Sequence, residues 1–356
     1  MTRSDFLKTG AATAAVLGGS SCHTISPLTQ PLALGFDNFS IRAKKWNATQ
    51  VLEYAGKQKV DTLLFSDLDV YEHHEPAYLA EVAAQAAELG IALQAGTGSI
   101  CGTAANFKKK HGPDIQHLTL TITVAKHLGA SVVRCYQGSA KDRQSRGGLQ
   151  PHMDRTVAVC KSVESYAKDS GVKIAIENHA GDMTAWQLKQ LIERAGPDFV
   201  GATIDAGNAA FTLEDPVENL RILGPYVLSS GIRDTVVWHD GDDIKTWWKA
   251  MGAGNVDWAA YFALWRKLCP QAPVQLEIIS QWGKTVPPKA NADFWQHYGD
   301  IRDRDYKAFV KIAATGTAPE PPTKARFTGD FMLQDLEASL AFCRDNLCLG
   351  IRGGSV

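Results

Sequence analysis

Three acidic residues in the second half of the chain stand in short apolar runs, at or near the end of each run. They are Glu177, Asp205 and Glu277. If these runs are parallel strands of one barrel, their carboxyl ends meet at one mouth, where barrel enzymes carry their active sites. Carboxylates crowded there repel one another and resist losing their hydration, and a divalent cation removes both objections. One acid alone would more simply cap a helix or pair with a basic residue, but three such acids predict a metal site.

The ligand types restrict the ion. Oxygen ligands suit Mg²⁺ or Mn²⁺, whereas an added histidine favours Zn²⁺ or Co²⁺. We therefore predict one bound divalent ion, which is Mn²⁺, Mg²⁺, Co²⁺ or Zn²⁺.

Other polar residues near the ends of apolar runs could bind a substrate. Asn38 follows the first run, Arg134 lies in the fourth, and His179 follows the fifth. Each of them could equally serve a cap or a turn. Asn208 after the sixth run and Arg233 after the seventh are further candidates for binding substrate. We also expect Arg233 and Asp234 to form an ion pair that orients their loop.

The elements that must position these residues alternate along the chain. Short runs rich in Val, Ile and Leu are typical of buried parallel strands, and the segments between them have helical spacing. Eight such runs predict a single (β/α)8 TIM barrel over residues 31–350, and no Gly-x-Gly-x-x-Gly follows the first run, which argues against a dinucleotide-binding fold. The runs cover residues 32–36, 62–65, 91–95, 131–136, 173–176, 200–204, 226–230 and 274–279.

The alternation is interrupted after the eighth run. Residues 281–302 are rich in aromatic and polar side chains, and we interpret them as a long insertion over the barrel mouth. Trp282 and Trp295 in this segment, together with Trp238, could form an aromatic wall on which a ligand stacks. Core packing is an equally good explanation for Trp238.

Residues 1–30 have the pattern of an export signal. A basic start, TRSDFLK, precedes an apolar run at 10–19 and a stretch of small residues, and this three-part order is typical of secreted proteins. The start resembles a bacterial twin-arginine signal in which Ser4 replaces the second arginine, and Cys22 gives a weaker resemblance to a lipoprotein cleavage site. We therefore expect an exported, periplasmic protein, with a floppy N-terminal helix as the alternative.

The composition excludes some partners. The chain has 356 residues, with 37 Lys and Arg against 38 Asp and Glu, so it lacks the basic excess that nucleic-acid binding requires. Its seven cysteines contain no Cys-x-x-Cys pair, which argues against a zinc ribbon. The apolar run near the N-terminus is too short to span a membrane comfortably. We expect no nucleic-acid partner and no transmembrane span, and the oligomeric state is open.

Five short segments, in this order, resemble the marker segments of the sugar phosphate isomerase/epimerase family, which has the xylose isomerase-like barrel fold. They are IENHAGD at 176–182, DAGN at 205–208, IRD at 232–234, GAGNVDW at 252–258 and QLEI at 275–278. Each segment is weak alone, but the ordered set is specific for the superfamily, although not for the substrate. The resemblance covers about residues 32–350.

The resemblance implies a metal-dependent activity. In that family a Glu, an Asp, a His and a Glu from strands five to eight hold one metal ion, and the two glutamates act as acid and base. Carried over, the ligands are Glu177, Asp205 and Glu277, and the catalytic pair is Glu177 and Glu277. The implied reaction removes a proton next to the carbonyl of a sugar or keto-sugar, which isomerises or epimerises it. The implied partner is a small carbohydrate.

The chain departs from the family at the histidine ligand. That histidine falls three residues before the aspartate of IRD, where this chain has Gly231, and the histidine that many relatives carry after DAG is Asn208. His239, expected in the loop after strand seven, or His179 could supply an imidazole. Otherwise water fills the position, or the metal is lost.

Three alternatives follow. A leaving group β to the carbanion would turn the same chemistry into elimination, so a 3-keto-glycoside lyase or hydratase is one alternative, and an exported enzyme would meet free or glycosidic sugars. A second alternative is a non-catalytic sugar-binding relative that has lost its metal. The fold also resembles apurinic endonucleases, but those need many more histidines and a basic surface.

Overall fold

A computed structural model describes residues 31–352. The predicted export signal lies outside the described residues. Eleven strands, numbered here in chain order, occur within residues 31–352. They are β1 Leu34–Asp37, β2 Thr62–Phe65, β3 Ala92–Ser99, β4 Val132–Tyr136, β5 Lys173–Glu177, β6 Val200–Ile204, β7 Val227–Ser230, β8 Asp234–Asp240, β9 Asp243–Lys249, β10 Val274–Leu276 and β11 Gly283–Val286.

Eight of these strands form one parallel sheet in the order β10-β1-β2-β3-β4-β5-β6-β7. The last barrel strand lies beside the first, as in a (β/α)8 barrel, so the predicted fold is confirmed. All eight predicted runs are barrel strands. The extension of β3 as far as Ser99 was missed, because residues 96–99 are small or polar and carry no apolar signal.

Helices connect the strands and cover the sheet. None within residues 31–352 has both the length and the apolar character of a membrane span. The α-helices are α1 Ala48–Lys57, α2 Pro76–Glu88, α3 Asp114–His127, α4 Gln150–Ser162, α5 Glu164–Asp169, α6 Ala185–Ala195, α7 Ala206–Phe211, α8 Pro216–Leu223, α9 Trp258–Leu268, α10 Ala292–Trp295, α11 Asp303–Ala313 and α12 Gly329–Leu347.

The main core joins the barrel strands to the helices around them. Strands β1, β2 and β6 are buried at every position, as expected for parallel strands covered on both faces. Phe36, Phe65 and Trp265 are among the largest buried side chains of this core. Because the strands are held on both sides, their carboxyl ends are fixed platforms for side chains at the mouth.

The barrel closes between β7 and β10 through the two residues that follow β7. The Ile232 N–H donates to the Gln275 carbonyl at 2.7 Å, and the Glu277 N–H donates to the Ile232 carbonyl at 3.0 Å. The Gly231 N–H donates to the Ile204 carbonyl at 2.9 Å. Strand seven therefore continues in effect to residue 232 and places Gly231 between the ends of β6 and β10.

A second, antiparallel sheet of three strands follows the order β11-β9-β8. Strands β8 and β9 form a hairpin, and β11 pairs with β9. The insertion expected after the eighth strand is present. The hairpin after strand seven was not predicted, since only a loop that carries His239 was expected there. The second sheet has its own small core, made of Ala210, Leu213, Val237, Ile244, Val286, Tyr298, Phe309 and Ala313.

Strand β1 packs closely against β2 at Gly35. This residue pairs with Thr62 of β2, and a Cβ atom built on it would lie 1.9 Å from the Thr62 carbonyl oxygen. Gly35→Ala must therefore push two strands apart, and we expect it to lower the free energy of unfolding by about 1–3 kcal/mol or more. Urea denaturation measures the loss. Gly299→Ala, at a position open to solvent space, is the control and should change stability little; equal effects of both variants would contradict this packing.

Candidate active site

Three strand ends bring the predicted acids together. Glu177 is the last residue of β5, Asp205 follows β6 as the N-cap of α7, and Glu277 directly follows β10. One carboxylate oxygen of each lies within 4.8 Å of those of the other two, and all three residues are buried. The structure therefore places the three acids at one mouth, while their roles remain predictions.

Two asparagines lock the first two acids into position. Asn178 and Asp205 exchange two hydrogen bonds of 2.8 Å, side chain to backbone, across the ends of β5 and β6. The Asn208 side-chain amide donates to Glu177 Oε1 at 2.9 Å and to Asp205 Oδ2 at 2.7 Å. Asn208 therefore bridges two carboxylates, and its role in binding substrate stays a prediction.

Arg233 lies between two of the three carboxylates. Its Nε lies 3.3 Å from Asp205 Oδ1, and its Nη2 donates to both Asp205 Oδ2 and Glu277 Oε2. The guanidinium is 1% exposed and lies 4.2 Å from the centroid of the Trp248 ring. Arg233 thus contacts two of the three acids that were predicted to hold a metal.

The expected ion pair between Arg233 and Asp234 is wrong. Asp234 accepts backbone N–H groups from Gly252 at 2.9 Å and from Gly254 at 3.0 Å. These contacts explain the GAGNVDW segment as a backbone loop wrapped around a buried carboxylate. Freed from this neighbour, Arg233 reaches across the barrel mouth instead.

Arg134 supplies the second buried cation. It lies in β4, forms an ion pair with Glu177 Oε2, and has its Nη2 4.0 Å from Glu277 Oε1. Its guanidinium also lies 5.1 Å from the centroid of the Tyr136 ring. With Arg233, it sets two fixed positive charges against the three carboxylates.

The pKa values follow from burial and from these neighbours. Burial alone would lower the pKa of Arg233, but the charges of Asp205 and Glu277 raise it above its usual value. Burial raises the pKa of Glu177, and the Arg134 guanidinium opposes that rise. Both arginines therefore stay charged at any working pH.

A fourth buried acid at the mouth was missed. Asp37 ends β1, is 1% exposed, and accepts a hydrogen bond of 2.5 Å from the Ser66 hydroxyl. Burial, and then the charge of Glu277, raise the pKa of Asp37 to about 7. Asp37 directly follows the first apolar run, so the sequence does indicate it as a residue of the mouth, although only Asn38 was predicted there. Asn38 instead accepts the Ser66 N–H at 2.9 Å and ties two strand ends together.

His179 presents a neutral ring to the mouth. Its ring stacks on Tyr136 with centroids 3.7 Å apart, and its Nδ1 lies 2.6 Å from the Gly138 carbonyl. A carbonyl can only accept, so Nδ1 carries the proton and Nε2 is left as an acceptor. Burial, and then the Arg134 charge, lower the pKa of His179 to about 3. The position suits a substrate hydroxyl.

A cavity of about 230 Å³ opens at this mouth. Glu277, Arg134, Tyr136 and His179 are among the residues that line it, whereas Glu177 is not. The cavity thus reaches one predicted catalytic glutamate directly and the other only through its partners.

Two predicted site residues lie elsewhere. His239 is in β8 rather than in a loop, and its side chain is exposed, so it does not join the carboxylates. Trp282 is 46% exposed and packs against Arg326 and Phe327, and it does not line the cavity. Both predictions rested on position in the sequence alone, and for His239 the pairing of β8 with β9 was not foreseen.

The cluster fits a divalent ion in its donor atoms but not in its space. The three carboxylates could hold one, and a Cβ on Gly231 would lie 3.3 Å from Glu277 Oε2 and 3.7 Å from Asp205 Oδ2. The position expected to carry a histidine ligand therefore does face the cluster, but it has no side chain. The Arg233 guanidinium already lies between Asp205 and Glu277, so this arrangement does not fit an ion as well.

Comparison with known proteins agrees with the fold. Residues 49–295 match the family model described as xylose isomerase-like TIM barrel. Among curated proteins, a 3-oxo-isoapionate decarboxylase of Pectobacterium atrosepticum is 22% identical over 245 residues, which are 68% of this chain and 79% of that protein.

Solved structures show the same architecture. A D-psicose 3-epimerase determined in the presence of D-fructose superposes with a TM-score of 0.58 at 16% identity, covering 88% of this chain and 98% of that one. An IolI protein with a zinc atom superposes with a TM-score of 0.54 at 16% identity, covering 81% and 100%. The solved structures support the fold, and the family match supports the prediction that the chain is an enzyme.

The Arg134–Glu177 pair can be tested by a double-mutant cycle. Arg134→Met leaves Glu177 buried without its cation, and we expect a loss of about 3–5 kcal/mol in the free energy of unfolding. Arg134→Met with Glu177→Gln removes both charges and should recover much of that loss. Chemical denaturation measures each variant, with Arg221→Met, from an exposed ion pair, as the control. A double variant as unstable as the single one would show that the two charges are not coupled.

Proposed function

Because the chain belongs to the xylose isomerase-like TIM barrel family, we propose that it is an isomerase or epimerase that removes a proton next to the carbonyl of a sugar or keto-sugar. One observation carries the proposal. A carboxylate, Glu277, and a guanidinium, Arg134, face the same cavity at the carboxyl ends of the barrel strands. A base beside a fixed positive charge is what abstraction of a proton next to a carbonyl requires.

The first step uses both of these groups. Glu277 accepts the carbon-bound proton and becomes a carboxylic acid, and the electron pair of the broken C–H bond forms the double bond of an enediolate. The negative charge that develops on the former carbonyl oxygen lies next to the Arg134 guanidinium. Because that charge is fixed before the reaction, it stabilises the enediolate without reorganisation.

The second step returns a proton. Glu277 can return it to the face from which it came. Glu177 is the acid proposed for the other face, and because it is paired with Arg134 as a carboxylate, it must first take up a proton from solvent. Glu177 does not line the cavity, so donation from it requires its contact with Arg134 to open when substrate binds. The divalent ion implied by the family resemblance would polarise the same carbonyl when bound, but no step here depends on it.

The cavity favours a polar, sugar-like substrate. His179 offers an acceptor nitrogen, and Ser66 and Thr97 also line the cavity. Tyr136 presents part of its ring beside them, and aromatic rings pack well against the apolar faces of sugars. If the N-terminal segment does export the chain, as we propose, the substrate is a free or glycosidic sugar of the periplasm.

Exchange of hydrogen with solvent tests the two glutamates separately. In deuterated water, wild-type protein should introduce deuterium next to the carbonyl of its substrate, found by screening ketoses and 3-keto-glycosides by NMR. Glu277→Gln should lower both exchange and turnover about 10²–10⁴-fold. Glu177→Gln should retain exchange from one face but lose epimerisation. Full exchange and full turnover in Glu277→Gln would disprove the role of this base.

Product analysis separates the alternatives. Release of a leaving group from a 3-keto-glycoside, with exchange at the same carbon, would identify the lyase or hydratase activity on this site. Binding of a sugar without exchange for any substrate would identify a non-catalytic binding protein. Arg221→Met is the matched control, because Arg221 does not line the cavity. This variant should behave as wild type.

A further inference from the structure

The positions of Arg233 and Gly231 are related. Gly231 faces the carboxylates from strand seven, since a Cβ atom on it would lie 3.3 Å from Glu277 Oε2 and 3.7 Å from Asp205 Oδ2, but it has no side chain to act as a ligand. Arg233, two residues further along the same extended backbone, directs its guanidinium to these two carboxylates. A side chain that alternates along a strand points to the same face at positions two apart. Gly231 thus provides no ligand, and Arg233, the next residue on the same face, provides a cation.

Arg233 is buried and contacts two carboxylates, as a bound metal ion would, whereas a surface arginine is largely exposed to solvent. Two of its nitrogens contact Asp205, one of them also contacts Glu277, and the residue is 1% exposed. Planar bidentate contacts of this kind are the strong form of an arginine–carboxylate pair. Any ion ligated by Asp205 and Glu277 would have to displace this guanidinium.

The surroundings hold the guanidinium in place. Trp248 lies against its face and donates its indole N–H to the Gly207 carbonyl at 3.0 Å. A Cβ on Gly207 would lie 2.4 Å from Cγ of Arg233, so the glycine of DAGN provides the passage for the arginine stem. Three elements, α7, β9 and the segment after β7, therefore shape a seat for this one side chain.

The positive charge of the two arginines equals that of one divalent ion. Arg233 and Arg134 together carry the two positive charges that a divalent ion would bring to Glu177, Asp205 and Glu277. An arginine keeps its charge at all working pH values, whereas a metal must be acquired from solution. The carboxylates are thus neutralised to the same degree by the chain itself.

From this geometry we infer that Arg233 replaces the divalent metal ion, so that the cluster of Glu177, Asp205 and Glu277 is held by guanidinium groups of the chain and binds no resident metal. Arg233 is a positioning residue: it orients Glu277, the base of the proposed function, while Arg134 faces the substrate. The inference rests on the proposed function only for that role of Glu277.

Metal analysis of the full-length wild-type protein tests the inference directly. The protein is incubated with Mn²⁺ or Co²⁺, freed of unbound ion by gel filtration and analysed by mass spectrometry for metal, and its melting temperature is measured with EDTA and with added ion. We expect a metal content far below one ion per chain and the same melting temperature in both conditions. A stoichiometric ion, or a clear fall of the melting temperature in EDTA, would overturn the inference.

Two variants sharpen the test. Arg233→Ala exposes the three carboxylates to one another, so it should gain stoichiometric Co²⁺ and a melting temperature that rises when Co²⁺ is added. Arg233→Ala with Gly231→His adds the ligand that the family has there and should bind Co²⁺ at least about tenfold more tightly than Arg233→Ala. Arg221→Ala is the control and should remain free of metal. If neither variant binds Co²⁺, Arg233 does not occupy a metal position and the inference fails.

The result is separable from that of the proposed function. If Arg233→Ala does not fold, the metal content of the wild type and its response to EDTA still decide. Wild type that is free of metal and exchanges substrate hydrogen supports both ideas. If exchange requires a stoichiometric ion, Arg233 does not replace the metal, but the proposed reaction stands. If the wild type contains no metal and exchanges no hydrogen with any sugar, the proposed reaction is wrong and the replacement of the metal by Arg233 stands.

Discussion

Burial of three carboxylates at one barrel mouth is the constraint on which the rest of this site depends. Glu177, Asp205 and Glu277 come from three strands and lie within 4.8 Å of one another out of water. Each buried charge costs several kcal/mol unless a partner offsets it. The two arginines that do so, Arg134 and Arg233, are themselves buried and are tolerated only because the carboxylates surround them. Anions and cations therefore stabilise one another, and loss of either arginine leaves like charges facing across the barrel.

The irregular parts of the fold serve this charge arrangement. Strand seven continues past its last regular pair so that Gly231 and Arg233 reach the mouth. The hairpin that follows it brings Trp248 onto the face of the guanidinium, which excludes water from the ion pairs and strengthens them. Asp234, by binding the backbone of the loop at 252–254, ties the end of that hairpin to the segment leading into α9. A plain barrel without these additions would expose Arg233 to solvent.

A site neutralised by arginines differs in its chemistry from one neutralised by a metal. A guanidinium donates hydrogen bonds in a fixed plane, holds its charge across the pH range and does not exchange ligands during turnover. Other groups at the mouth can change protonation, because burial raises the pKa of Asp37 to about 7. Burial and the charge of Arg134 lower the pKa of His179, which keeps its ring neutral. The arrangement suits proton transfer with fixed electrostatic stabilisation.

The sequence by itself determined the barrel and the three acids, because buried parallel strands are continuous apolar runs and the residues at their ends must share one mouth. It also identified Gly231 as the position without its ligand. Only the tertiary structure decided what Arg233 does, because its partners, Asp205 and Glu277, are 28 and 44 residues away in the chain. The hairpin at 234–249 escaped detection for a related reason: its strands are stabilised by pairing with each other and with β11, and such pairing is not written in any single run of residues. His239 was misplaced with it, since its exposure follows from that pairing.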